Sequence, residues 1–330
     1  MISTAFATAH PNIAFIKYWG NRDQALRIPS NSSLSMNLKE LETQTRVSFD
    51  STLKEDHLFL NENPESGTSL ERVNILLERV RKMAGIDIYA RVESENNFPT
   101  GTGIASSASA FAALSYAAST AAGLNLSERE LSQLARTGSG SASRSIPGGF
   151  VEWQAGTDHD SSFAHSIADP DHWDLADLIV LISLEHKETG SSLGHQLAET
   201  SPLQENRVED AGRRLEICRK ALLERDFQQF ASIVEQDSNL MHSVMMTSDP
   251  PLYYWLPETL AVIRAVRTWR KDGIPVCFTI DAGPNVHVLC PATEAGKVKR
   301  ELGALGGINS ILECHPGGPA HLLDPEISGV

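Results

Sequence analysis

NNFPTGTGIASSASAFAALSYAASTAAGLNL, residues 96–126, contains no charged side chain along its whole length. It opens on a glycine-rich turn, Pro99 to Ala108, and its Ala and Ser content with Phe111, Leu114 and Tyr116 predicts a helix over 106–122. Small residues on every face let neighbours approach from every side, so this helix belongs in the interior. Gly123 suits its C-terminal cap. The first amides of a helix lack internal partners and carry positive potential, which makes the turn a candidate phosphate site. Gly101 and Gly103 allow close backbone approach, and Ser106 and Ser107 add hydroxyl donors. The run is neither a Walker A motif nor a G-x-G-x-x-G fingerprint, and a plain strand-to-helix connection has the same composition.

Outward from that helix the pattern is mixed. Alternation around Val47 and Phe49 predicts a strand over 46–50, and alternation around Ile88 and Ala90 predicts one over 86–92. Between them Leu70, Val73, Leu76, Leu77, Val80 and Met83 have helical spacing, with Gly85 as the closing residue. Ser127 and Glu130 form a capping box for the next helix. The polar stretch 158–174 precedes an apolar strand at 178–184, and the domain boundary is placed there. Helices are expected at 203–225, 227–241 and 257–272, then paired strands at 274–280 and 286–290.

The chain has 330 residues, which favours two domains over one core. Lys and Arg number 28 against 42 Asp and Glu, giving a net charge of −14. Such an acidic chain is ill suited to gripping nucleic acid or an anionic membrane, so an anionic ligand must be met by a few placed cations and amides. Cys218, Cys277, Cys290 and Cys314 form no C-x-x-C pair. Reduced thiols are expected rather than disulfides or zinc. The first residues show no basic segment followed by an apolar one, and the apolar run 175–184 is too short to span a bilayer. A soluble, cytoplasmic protein is the expectation.

Three further clusters carry candidate chemistry. GSGSASRSIPGG, residues 138–149, holds a single cation, Arg144, suited to bidentate recognition of carboxylate or phosphate or else merely solvated on a loop. AHPNIAFIKYWG, residues 9–20, puts Lys17 at the end of an apolar run, as a snorkelling edge residue or a site cation. FTIDAGPN, residues 278–285, ends a buried strand with Asp281 just before a turn, as a site carboxylate or else a turn former. The eleven histidines show no metal-ligand spacing.

In their order along the chain, AHPNIAFIKYWG, NNFPTGTGIASSASAFAAL, SGSASRSIPGGFVEW and FTIDAGPN resemble the GHMP superfamily of small-molecule kinases and, within it, the diphosphomevalonate decarboxylase family. The resemblance runs from His10 to about Asn285. It implies an α/β (α+β, two-layer) fold of two domains. The first, 1–184, is ribosomal protein S5 domain 2-like and carries the phosphate loop. The second, 185–330, carries the catalytic aspartate, and the active site lies in the cleft between them. It further implies ATP as cosubstrate, Mg²⁺ and a homodimer.

Residue by residue, the resemblance assigns ATP binding to Pro99, Gly101, Thr102, Gly103, Ser106 and Ser107, with Ser107 also near Mg²⁺. Asp281 would act on the C3 hydroxyl of the mevalonate moiety, Arg144 would hold the substrate carboxylate, and Lys17 would lie near both. Ser139, Gly140 and Ser141 would surround the same substrate, with Tyr18 near its 5-phosphate. The chain departs from the family at two cations. Asn21 stands where a lysine contacts the diphosphate, and Ser192 stands at an arginine position in GSSLGH, residues 190–195. Each lost charge-assisted bond costs about 1.5–3 kcal/mol, so the departures point to mevalonate 5-phosphate as substrate and isopentenyl phosphate as product. Compensation by Arg22 or His195 would restore the diphosphate as substrate. The competing readings are a kinase that stops at the 3-phosphate and a non-catalytic binding protein.

Overall fold

The computed structural model describes residues 2–98, 106–184 and 189–324, so Pro99, Gly101, Thr102 and Gly103 lie outside the described residues. The architecture is mixed α/β. A six-stranded sheet runs in the order His321–Leu322, Ile2–Ala9, Thr43–Asp50, Ala90–Asn96, His57–Leu60, Asn63–Glu65. Its pairs are antiparallel except that of His57–Leu60 with Ala90–Asn96. Ala5, Ala7, Val47, Phe49 and Val92 project from this sheet into a core shared with the helices Thr68–Ala84, Ser106–Ala121 and Glu128–Gly138. The uncharged helix is buried as expected: Ala108, Ala112, Ala113, Ala117 and Ala118 are shielded from solvent. Ser127 and Glu130 form the capping box, and Gly85 closes its helix at φ 65°.

A second sheet orders Phe163–Ala168, Phe150–Gln154, Ser33–Asn37 and Asn12–Ile16. A third orders Cys277–Thr279, Val286–Pro291, Leu175–Leu181 and Ser310–Cys314. Ile13, Phe15 and Leu34 of the second share a core with Ile179 and Leu181 of the third and Phe230 of the helix Phe227–Met246. The other face of the third sheet packs on Pro257–Lys271 and Ala292–Gly303. Asp177, buried in a central strand, is matched by His287 Nδ1 at 2.6 Å. One bond ties the two sheets where it matters: Thr279 Oγ1 donates to Ala14 O at 3.3 Å, just upstream of Asp281 and Lys17.

Several expectations shift, among them that the helix expected at 227–241 runs on to Met246 and the strand expected at 274–280 is confined to Cys277–Thr279. The strand expected over 86–92 starts at Ala90. Asp56 accepts from Ala90 N at 2.8 Å and from Arg81 at 3.0 and 2.9 Å, pinning the entry there, while Ile86 and Ile88 pack on the core before the ladder begins. The apolar strand spans Leu175–Leu181 instead of 178–184. The polar stretch 158–174 holds a strand of its own, Phe163–Ala168. The helix expected at 203–225 divides into Gln204–Glu209 and Ala211–Glu224. Asp210, between them, binds Arg213 at 2.6 Å and Arg214 at 2.8 Å. All four cysteines are buried and free. No helix among the described residues is long and apolar enough to cross a membrane.

Candidate active site

Lys17 follows the Asn12–Ile16 strand, Asp281 follows Cys277–Thr279, and Arg144 lies on the short 3-10 turn Gly140–Ser145. All three line one cavity of about 500 Å³, together with Tyr18, Ser106, Ser107, Ser139, Gly140, Ser141, Ser192 and His195. Lys17 Nζ donates to Asp281 Oδ1 at 2.5 Å. The lysine is buried, and 30% of the aspartate side chain opens to the cavity. Burial favours the uncharged form of each partner. For Lys17 it prevails over the attraction of Asp281 and lowers the ammonium from its ordinary range. For Asp281 the opposing charges of Lys17, His287 and Arg144 outweigh it and hold the carboxyl below the usual range. The backbone around Lys17 is fixed from behind. Asp237 accepts from Lys17 N at 2.6 Å and from Arg214 Nε at 2.7 Å, and Arg207 Nη2 donates to Lys17 O at 2.8 Å.

Arg144 is also buried, and burial draws it down to about 10. Its Nε donates to Asn12 Oδ1 at 3.2 Å and its Nη1 to Ser33 Oγ at 2.7 Å. Asn12 in turn donates to Ser141 O at 3.1 Å and Ser145 Oγ at 2.8 Å, so strand and turn are locked in one orientation. The fork therefore enters the cavity pre-oriented for a planar anion.

Tyr18 stacks on His195 with ring centroids 4.1 Å apart. His195 Nδ1 accepts from Gly20 N at 3.0 Å, which places its ring proton on Nε2. A Cβ at position 140 would stand 2.5 Å from Tyr18 Cε1, so glycine is required for the ring to lie against this turn. Ser139 Oγ is 3.2 Å from Ser107 Oγ and 3.4 Å from Ser141 Oγ. Hydroxyls from the uncharged helix and from the 3-10 turn thus meet at one place.

Two residues are placed otherwise than expected. Asn21 is buried behind Tyr18 and does not form part of the cavity wall. Its carboxamide oxygen accepts from the Tyr18 hydroxyl, and its Nδ2 donates to Gln24 Oε1 at 2.9 Å. The hairpin that pairs Asn21 with Pro29 turns the side chain there. Arg22 is exposed, donates to Gly156 O at 3.1 Å and points away from the cavity.

Sequence reasoning missed two cations that do line the cavity, Arg27 and Arg72. Arg72 sits on the Thr68–Ala84 helix, where its spacing reads as a solvated face; Arg27 sits in a hairpin with no motif around it. Asn12 and Ser33, which hold Arg144, were equally silent. Among the described residues no cluster of three His, Cys, Asp or Glu side chains could hold a metal ion.

Comparison with known proteins gives consistent matches. Residues 9–164 match the model of a diphosphomevalonate decarboxylase-like N-terminal domain. Residues 177–314 match that of a mevalonate 5-diphosphate decarboxylase C-terminal domain. The diphosphomevalonate decarboxylase of Candida albicans is 39% identical over 313 residues, covering 89% of this chain and 86% of the relative. The solved mevalonate diphosphate decarboxylase of Staphylococcus aureus superposes with a TM-score of 0.94 at 38% identity, covering 98% of this chain and 99% of that one. A solved complex described as "MDDEF in complex with MVAPP, AMPPCP and Magnesium" superposes with a TM-score of 0.93 at 37% identity, covering 98% and 100%. These likenesses carry the mixed α/β, two-domain fold.

Proposed function

This chain belongs to the diphosphomevalonate decarboxylase family, and we propose that it decarboxylates mevalonate 5-diphosphate at the expense of ATP, giving isopentenyl diphosphate, CO₂, ADP and phosphate. The observation that carries the reading is the Lys17–Asp281 contact at 2.5 Å in the cavity that also holds Arg144. Asp281 orients the tertiary C3 hydroxyl toward the γ-phosphoryl group of ATP and takes its proton as the new O–P bond forms and the bond to ADP breaks. Lys17 and Arg144 hold the C1 carboxylate. When the C3–O bond breaks and phosphate leaves, the C1–C2 electron pair becomes the C2–C3 double bond and CO₂ departs. Fixing the carboxylate aligns the breaking bond with the emptying orbital at C3.

Ser106 and Ser107 would meet the triphosphate at the start of the uncharged helix. Ser107 is the residue that the family resemblance assigns to Mg²⁺, and its hydroxyl is a hard oxygen donor of the kind that would suit an ion arriving with its nucleotide. The ion, when bound, neutralises triphosphate charge. A two-domain division is proposed on the same footing; the family models end at 164 and begin at 177, which favours a boundary upstream of the expected 184. We also propose a homodimer, the assembly the family resemblance implies.

A second reading, mevalonate 5-phosphate as substrate, is favoured by Asn21 and Ser192, which leave two family positions without a cation. Against it stand Arg27 and Arg72 on the cavity wall. The test is a side-by-side assay of mevalonate, its 5-phosphate and its 5-diphosphate with Mg-ATP, following ADP and CO₂ together. Highest kcat/KM with the diphosphate is expected. Preference for the monophosphate establishes the second reading, and ADP without CO₂ overturns decarboxylation.

A further inference from the structure

Two guanidinium groups bracket the turn that delivers Ser139. Arg27 Nε donates to Thr137 O at 3.2 Å, and Arg72 Nη2 donates to Gly138 O at 3.0 Å. Both side chains face the cavity, and neither meets a carboxylate among the described residues. The terminal nitrogens of Arg27 carry no protein hydrogen bond among those residues, and Arg72 Nε is buried without an acceptor. Burial draws Arg72 down to about 10, and the charge of Arg27 acts in the same direction. Two cations that repel each other without an acid between them are costly unless an anion completes the set. The backbone shows strain at the same place. Arg27 has φ 50°, a left-handed conformation that a long side chain rarely adopts and that persists where its surroundings enforce it.

Arg27 also stands at a defined end of the cavity. Arg144 is tied to Asn12 and Ser33, next to the strand that ends at Lys17, whereas Arg27 is tied to Thr137 O, two positions before Ser139. The reacting carboxylate and hydroxyl belong with the first set, which leaves the C5 end of the substrate for the second.

We propose that Arg27 binds the terminal phosphoryl group of the 5-diphosphate and so sets the choice between diphosphate and monophosphate. The inference rests on the diphosphate reading above and locates a cation for it that neither position 21 nor position 192 provides.

Arg27→Asn removes the charge while keeping a residue that tolerates positive φ, and Arg27→Lys keeps the charge without the fork. Titration calorimetry of mevalonate 5-diphosphate and of mevalonate 5-phosphate onto wild type and both variants reads binding apart from turnover. Arg27→Asn should weaken the diphosphate by roughly ten- to a hundredfold and the monophosphate by less than about threefold, with Arg27→Lys in between. KM for ATP, from steady-state assays of the same proteins, should stay within about twofold. Unchanged diphosphate affinity in a folded Arg27→Asn protein overturns the proposal and leaves the diphosphate reading standing. Equal weakening of both ligands assigns Arg27 to the shape of the pocket, and a raised KM for ATP assigns it to the nucleotide; each also overturns it. Wild-type protein that binds the monophosphate alone overturns both.

Discussion

Lys17 Nζ and Asp281 Oδ1 are 2.5 Å apart although 264 positions separate them in the chain. The contact exists because two strands from different sheets end side by side, tied by Thr279 and Ala14. It sets the charge state on which the proposed chemistry depends: the buried ammonium helps keep Asp281 ionised, the form that can accept a proton.

Asp281→Asn should therefore abolish turnover without unfolding the protein. The side chains are nearly isosteric; the proton acceptor and the charge facing Lys17 are lost, while an oxygen remains to accept from its ammonium. General-base removal typically costs about 10²–10⁴-fold in kcat. Steady-state kinetics beside a thermal melt checks this. A variant that retains most of its kcat would make Asp281 a structural turn residue.

Arg144→Lys should fail for a different reason. Arg144 already gives Nε to Asn12 and Nη1 to Ser33, leaving the rest of the fork for the ligand. An ammonium has neither the reach nor the planarity to satisfy both protein acceptors and a carboxylate, and burial favours its neutral form. A drop in kcat/KM of roughly ten- to a hundredfold is expected, with KM for ATP little changed. Normal kcat/KM in this variant would mean that the carboxylate is held elsewhere.

The difference between these residues and Arg27 shows how far the sequence could be read. Helix 106–121 was legible because its composition has one physical solution, burial on all sides. The capping box at Ser127 and the Gly85 terminus were legible because caps are local. Arg144 and Asp281 were recognisable only through the family pattern around them, and their meeting with Lys17 depends on sheet packing that no spacing encodes. Arg27 and Arg72 fell outside both signals. A hairpin arginine and a helix-face arginine look solvated until the cavity is seen to open beside them. Asn21 misled in the opposite direction, since Lys17, Tyr18 and Trp19 before it line the cavity while its own carboxamide turns back to Tyr18 and Gln24.

Acid sensitivity should appear first at His242. The ring is buried against Trp255 and lies 3.3 Å from Ile280 O. Burial, reinforced by the charge of Lys17, lowers its pKa to about 3. Unfolded histidine titrates near 6.5, so below that pH the unfolded chain binds a proton that the folded chain refuses. Stability should be complete above about 6.5 and fall as the pH drops toward 3, by up to on the order of 4 kcal/mol from this group. Urea unfolding at pH 7, 5.5 and 4.5 measures the slope. His242→Leu should flatten it, and an unchanged slope would assign the acid sensitivity to other groups.

Substrate selectivity offers the sharpest test of the two absent cations. The charge-counting argument treats Asn21 and Ser192 alike, but the structure separates them. Ser192 lies on the cavity wall and is exposed, so Ser192→Arg brings a guanidinium to the ligand at once, though solvent screens it. A screened pair is worth about 0.2–1 kcal/mol, and completing the anion's contacts raises that toward the charge-assisted range of about 1.5–3 kcal/mol. The single variant should shift the kcat/KM ratio of diphosphate to monophosphate upward by about three- to tenfold. Asn21→Lys must first take an acceptor from the Tyr18 hydroxyl and then reach past the ring, so alone it should gain little and lower kcat/KM for both substrates. Measured together, the two substitutions should give a larger shift than the sum of the singles, because an anion already held on one side orders the second side chain. If Asn21→Lys alone produces the larger shift, position 21 reaches the ligand after all and the placement of its side chain behind Tyr18 does not govern specificity.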